Sequence, residues 1–160
     1  MTSWFRRARG PEPTEQRDPD SPEALAADLG DLIRLINRSA GRLTPRAVVA
    51  ARGVTDVVQE ILDCLADDAV PDIQAVLSVR GIVRDYLPTS LRGFLALDPS
   101  TLAGASPAAP DPRSQLDEQL ENLWSAATEV LTATRARDAD NLLTQGTFLR
   151  TKFTRSDLDL

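Results

Sequence analysis

A chain of 160 residues, 42% hydrophobic but only 4% aromatic, must build its core from Leu, Val, Ile and Ala, which favours packed helices over a β-sandwich. A net charge of −6 offers no general phosphate-neutralising surface and argues against a general nucleic-acid binder. A single cysteine, Cys64, excludes an internal disulfide and a CxxC zinc site, and the lack of histidine removes the commonest general base and metal ligand.

Residues 1–20 combine Pro11, Pro13, Pro19 and Gly10 with many charges. They have little to bury and are expected to form a disordered tail. Trp4 and Phe5 run straight into Arg6, Arg7 and Arg9, so no secretory h-region follows Met1. This basic segment can make at most weak peripheral contact with an anionic membrane. No run of about 18 apolar residues occurs, so no span is expected and the location is expected to be cytoplasmic.

Ser21-Pro22-Glu23 is a helix start, with a Ser N-cap and Pro at the first helical position. Leu25, Leu29, Leu32, Ile33 and Ile36 then form one stripe on a helix ending near Ser39 to Gly41. Thr44-Pro45 repeats the start signal. Val54, Val57, Val58, Ile61, Leu62 and Leu65 line one face of the second helix, opposite Arg52, Asp56, Glu60 and Asp63. Cys64 lies at the edge of that apolar face and reads as packing, since no histidine is present to activate it.

Val70-Pro71-Asp72 turns the chain into a third helix, about 72–87. Asp67, Asp68 and Asp72 at this junction read as a solvated turn, because their spacing fits no calcium loop. Pro88 is expected to stop or kink the helix, with Tyr86 packed at the corner. Leu91, Phe94, Leu95 and Leu97 predict that a short helix resumes. A uniform wheel places Arg80 and Arg84 inside the apolar arc, between Leu77 and Leu87. Two unpaired guanidinium groups cannot be buried there. Either their heads reach carboxylates or water, or they form a fork for an anionic ligand or acidic partner segment.

Residues 98–113, with four prolines among small residues, read as a flexible linker. Ser114 with Asp117 resembles a capping box. Leu116, Leu120, Leu123, Trp124, Ala127, Val130 and Leu131 share a face of the following helix. Asp138-Ala139-Asp140 is expected to break or bend it, leaving a last helix with Leu142, Leu149 and Phe153. Residues 156–160 are expected to fray. No strand-like alternation, phosphate-cradling glycine motif or metal-ligand spacing is found. Lys152 is the only lysine among 18 basic residues, a bias typical of GC-rich bacterial coding.

In RGIVRDYLPTSLRGFLAL (80–97), a helix ends in Tyr86-Leu87-Pro88, followed by a turn with Ser90-Leu91 and an apolar stretch. This segment resembles XpaC-like bacterial proteins, a family associated with 5-bromo-4-chloroindolyl phosphate hydrolysis and linked with toxic-anion-resistance proteins of the TelA type. The closing LLTQGTFLRTKFTRSDLDL, with Phe148-Leu149 and Lys152-Phe153, resembles them too. The resemblance implies a helical accessory protein in envelope or stress physiology. The hydrolysis label is not carried onto residues, because no nucleophile–base pair accompanies it.

The expected architecture is an all-α antiparallel bundle of about four main helices plus short pieces. The expected divisions are a tail (1–20), a helical domain (21–97), a linker (98–113) and a C-terminal helical pair (114–157). The leading functional expectation is a non-enzymatic interaction or scaffold protein without catalytic residues, cofactor or metal, meeting a protein partner or a second copy. The alternatives are a carboxylate- or cation-dependent hydrolase and a regulatory nucleic-acid binder. Arg80, Arg84, Tyr86, Leu87 and Pro88 are the candidate interaction residues.

Overall fold

The structure, a computed structural model, describes residues 18–67, 72–103 and 111–156. The expectations for 1–17, for Asp68 and Val70-Pro71 within 68–71, for 104–110 and for 157–160 lie outside the described residues.

Four helices begin with the same local device. Ser21 caps α1 (Pro22–Ser39), its hydroxyl accepting from the Ala24 N–H at 3.2 Å. Thr44 caps α2 (Pro45–Asp67) in the same way, accepting from the Ala47 N–H at 2.9 Å. An Asp-Pro pair starts the short α5 (Pro99–Ala103) and the 45-residue α6 (Pro112–Ser156). Proline at the first turn loses no hydrogen bond and arrives with helical φ, and at α1, α2 and α6 the preceding Ser, Thr or Asp side chain supplies an acceptor for free N–H groups. The start of α6 is therefore Asp111-Pro112. Asp111 accepts from the Arg113 and Ser114 N–H groups, so Ser114 with Asp117 is no capping box. Asp117 instead accepts a hydrogen bond from the Thr44 hydroxyl at 2.5 Å.

Pro88 does not end a helix. α3 (Ile73–Arg80) runs through a π-helical stretch, Gly81–Tyr86, directly into α4 (Leu87–Leu95). An α-helical turn would press the proline ring against the carbonyl four residues back; the wider turn gives it room. It also takes up about one residue, or roughly 100° of rotation. On a uniform wheel Tyr86 falls in line with Ala75, Val79 and Ile82, and Leu87, Leu91 and Phe94 drift off that line. In the observed helix Leu87, Leu91 and Phe94 are buried and Tyr86 is 64% exposed. The expected packed Tyr86 corner is thus replaced by a continuous rod that presents Tyr86 to solvent. Its ring lies across Gly81, where a Cβ would meet it at 3.0 Å.

α6 is likewise continuous through Asp138-Ala139-Asp140. An aspartate in a helix interior costs at most about 0.7 kcal/mol relative to Ala, and no proline or glycine stands there to interrupt the ladder.

The result is an all-α bundle of four main helices, α1, α2, the α3–α4 rod and α6, with a 3₁₀ turn at Ala40–Arg42 and α5 as the short pieces; the expected antiparallel order does not hold for α2 and α6, which run in the same sense. α2 lies at the centre, against α1, α3 and, most extensively, α6. Its buried face is Ala47, Ala50, Ala51, Val54, Val58, Ile61, Leu62 and Leu65. Small residues at one end of that face let neighbouring backbones approach closely. At Gly53 the Trp124 ring of α6 occupies the space a side chain would take: a Cβ would fall 2.5 Å from Trp124 Cε2. Cys64 is half-buried against the same core.

Candidate functional site

Arg84 sits where the π stretch faces the start of α1. Its Nε donates to Asp28 at 2.7 Å, one terminal nitrogen to Asp20 at 2.8 Å, and the other to the Pro19 carbonyl at 2.6 Å. Arg80, one turn earlier, donates to the other Asp20 oxygen at 3.0 Å. Both guanidinium groups keep partial contact with water, at 45% exposure for Arg80 and 31% for Arg84. The Asp28 hydrogen bond, opposed by burial and aided by the Asp28 and Asp20 charges, raises Arg84 above its ordinary pKa. The two arginines do form a fork, and its acidic segment is the chain's own: Pro19 and Asp20 are clamped to the rod, with Asp28 from α1 as the third partner.

Of the five candidate interaction residues, Arg80 and Arg84 come together on Asp20. Tyr86 stands apart on the surface, and Leu87 is a fully buried core residue unavailable for docking. Pro88 is buried and lines a groove of about 520 Å³ between α1 and α4 with Arg34, Arg38, Arg84 and Arg92. Asp28 and Asp31 lie in the same groove, and Asp31 pairs with Arg34. A second groove of about 450 Å³, with Ile73 and Leu77 exposed on its wall, lies between the entry to α1 and the ends of α2 and α3.

Of the junction aspartates, Asp67 is exposed and Asp72 departs from the expected solvated turn. Asp72 is buried, caps α3 by accepting from the Gln74 and Ala75 N–H groups at 3.0 and 3.1 Å, and pairs with Arg137 of α6 at 2.6 Å. Among the described residues no group of three or more potential metal-ligating side chains converges, and no helix is long and apolar enough to cross a membrane.

The surface that sequence patterning missed is the distal half of α6. Thr44–Asp117, Arg46–Glu121 and Glu60–Arg135 contacts advance together along α2 and α6, so the two helices run in the same sense. The latter two pairs are both 75 residues apart, and that offset carries Asp67, the last residue of α2, to the level of Leu142. Beyond that point α6 has outrun its principal neighbour. Leu120 and Leu131 are buried, whereas Leu142, eleven residues after Leu131, is 71% exposed. Eleven residues are three helical turns with little drift, so these three leucines share one face. Leu143 and Phe148 are exposed as well, and every described side chain from Ala139 to Phe148 is exposed. The signal was present in the spacing of Leu120, Leu131, Leu142 and Phe153; the helix break expected at Asp138 hid it.

Protein-family models, curated proteins and solved structures contain no match to this chain. The arrangement itself must carry the functional reading.

Proposed function

We propose that this chain is a non-enzymatic helical interaction protein, in which the four-helix body holds α6 so that its distal half offers an apolar face to a protein partner. The observation that carries this reading is the change along one face of one helix: buried at Leu120 and Leu131, then open at Leu142. A leucine stripe in water gives up roughly 25 cal/mol for every Å² it fails to bury, and a partner recovers that energy. The arginine fork supports the same view, since Arg80 and Arg84 spend their hydrogen bonds on the chain's own Asp20, Asp28 and Pro19. The XpaC-like resemblance of residues 80–97 would place such a scaffold in envelope or stress physiology.

The test is association of the intact protein with its partners from cell extract, native chain against Leu142→Asp. The substitution touches no core residue, so melting should be unchanged while association is lost. Association that survives Leu142→Asp undiminished would move the contact surface elsewhere. Turnover of a phosphate ester by the purified chain would favour the hydrolase reading.

A further inference from the structure

The arginine row along the α3–α4 rod continues past the clamp. Arg80 and Arg84 hold Asp20, and Pro88 and Arg92 carry the row into the groove of about 520 Å³ between α1 and α4, which Arg34 and Arg38 line from α1. Within that groove Arg84 is taken by Asp28 and Asp20, and Arg34 by Asp31. Arg38 and Arg92 are exposed, and their guanidinium groups have no ion pair or hydrogen bond among the described residues. Four arginines against Asp28 and Asp31 leave the groove with two positive charges in surplus, on a chain whose net charge is −6. Each of the two free arginines stands in the last turn of its helix, where the negative end of the helix dipole steadies a cation that has no carboxylate. The groove is thus charged before any ligand arrives.

The clamp shows what such a row receives. At its first two arginines a non-helical stretch of chain lies across the rod: the two Asp20 oxygens accept from Arg80 and Arg84 at 3.0 and 2.8 Å, and the Pro19 carbonyl accepts from Arg84 at 2.6 Å. From Arg84 to Arg92 the groove runs for roughly 12 Å at 1.5 Å per residue, the length of about four residues of extended chain at about 3.3 Å each. One small oxyanion does not cover that length; a short peptide does. Half-buried Leu35 and buried Val83 and Pro88 give its side-chain stems an apolar floor. The chain's own basic segment, with Arg6, Arg7 and Arg9, has the same sign of charge as the groove and is repelled by it.

We infer that the α1–α4 groove docks an acidic, non-helical segment of a partner protein, whose carboxylates take up Arg38 and Arg92 as Asp20 takes up Arg80 and Arg84. Arginine holds a carboxylate through a planar fork of two parallel hydrogen bonds, so each free guanidinium is matched to one acidic side chain. A positive patch on an otherwise acidic chain draws such a segment to this one face and sets its orientation. The groove shares no residue with the exposed face of α6, and the inference stands independently of the reading of that helix.

Fluorescence anisotropy of a labelled octa-aspartate peptide, titrated with the full chain, tests the docking. Binding should weaken as salt rises from about 0.05 to about 0.2 M. Arg38→Gln and Arg92→Gln should each weaken it about tenfold, at unchanged melting temperature because neither guanidinium holds another described residue. Asp31→Asn should tighten it, since Arg34 is then released to the groove. Arg113, whose guanidinium donates to the Leu102 carbonyl outside the groove, is the control: Arg113→Gln, like Leu142→Asp on α6, should leave binding unchanged. A peptide that does not bind, binding that survives the double change of Arg38 and Arg92, looser binding by Asp31→Asn, or equal weakening by Arg113→Gln would overturn the proposal. Inorganic phosphate that displaces the peptide at concentrations too low to act by screening would overturn it in favour of a small-anion site. Loss of binding on Leu142→Asp would overturn it by placing the peptide on α6.

Discussion

Glycine in a helix interior destabilises by about 0.5–1 kcal/mol relative to alanine, so Gly53→Ala in the middle of α2 would stabilise an isolated helix. In this protein it should do the opposite. The new Cβ would fall 2.5, 2.7 and 2.8 Å from Trp124 Cε2, Cδ2 and Cζ2. Ordinary carbon contacts lie at about 3.5–4.0 Å, so three atoms of a rigid ring are overlapped by roughly 1 Å. The ring can shift within the α2–α6 interface, for which overpacking costs typically about 1–3 kcal/mol. It can also swing outward, since Trp124 is already 38% exposed, and give up its packing on α2. Either response outweighs the propensity gain, leaving a net loss of about 1–2 kcal/mol, or several degrees in Tm for a chain of this length. The decisive measurement is a double-mutant cycle by chemical denaturation followed by far-ultraviolet circular dichroism. With Trp124→Ala the overlap disappears, and Gly53→Ala should then stabilise by about 0.5–1 kcal/mol. The same sign in both backgrounds would show that the glycine is not there to admit the ring.

Three further outcomes follow from the polar contacts. Arg84→Gln should cost about 1 kcal/mol and free the Pro19–Asp20 segment to proteolysis, whereas Arg80→Gln should cost less because Arg80 makes one of the four bonds and is nearly half exposed; an equal or larger effect of Arg80 would refute this ranking. Asp72→Ala removes both the α3 cap and the Arg137 partner and should cost about 1–2 kcal/mol by thermal melting, while Asp72→Asn keeps a capping acceptor and should cost less than half as much; equal losses would place the energy in the ion pair instead. Glu121 accepts two hydrogen bonds from Arg46, at 2.6 and 2.8 Å, which hold its carboxyl below the usual carboxylate range. A depressed folded-state pKa contributes stability that is complete above the unfolded value and is lost as pH falls through the folded value, so Glu121→Gln should flatten the acid side of the stability profile slightly and leave the alkaline side unchanged; a flattening above neutral pH would contradict the assignment.

Much of the bundle was legible because local and global signals agree. Ser21-Pro22 and Thr44-Pro45 mark helix starts by capping chemistry that needs no tertiary context, and the stripes of α1 and α2 bury as their spacing predicts. At Pro88 and at Asp138-Ala139-Asp140 a local breaker is absorbed by the structure around it. Pro88 is absorbed by a π turn, which sends Tyr86 outward and Leu87 inward. Asp138 and Asp140 are absorbed by plain helix continuity. Arg80 and Arg84 reach carboxylates, one of the alternatives that their place on the wheel leaves open, and one of those carboxylates, Asp20, lies in a stretch whose composition resembles a tail. Asp72 reads as solvated because nothing near it in sequence supplies its cation; Arg137 is 65 residues away along the chain and adjacent only through the α2–α6 alignment.

That alignment links stability to the proposed role of α6. Apolar contact between two helices running in the same sense is non-directional, and the Ala-rich face of α2 offers little by itself to prevent a slip along the axis. The polar contacts do prevent it. Thr44 with Asp117, Arg46 with Glu121, Glu60 with Arg135, and Asp72 with Arg137 form a series along the interface, and Gly53 receives Trp124 within it. A slip by one turn of about 5.4 Å would misplace all five contacts together. Each exposed ion pair contributes at most about 1 kcal/mol to stability, so their larger effect is on register. Register in turn sets how far α6 extends past the end of α2, and hence that Leu131 is covered while Leu142 is open. The length by which α6 outruns α2 is therefore fixed by weak surface pairs distant from it, and loosening those pairs should change what the end of α6 presents before it unfolds the body.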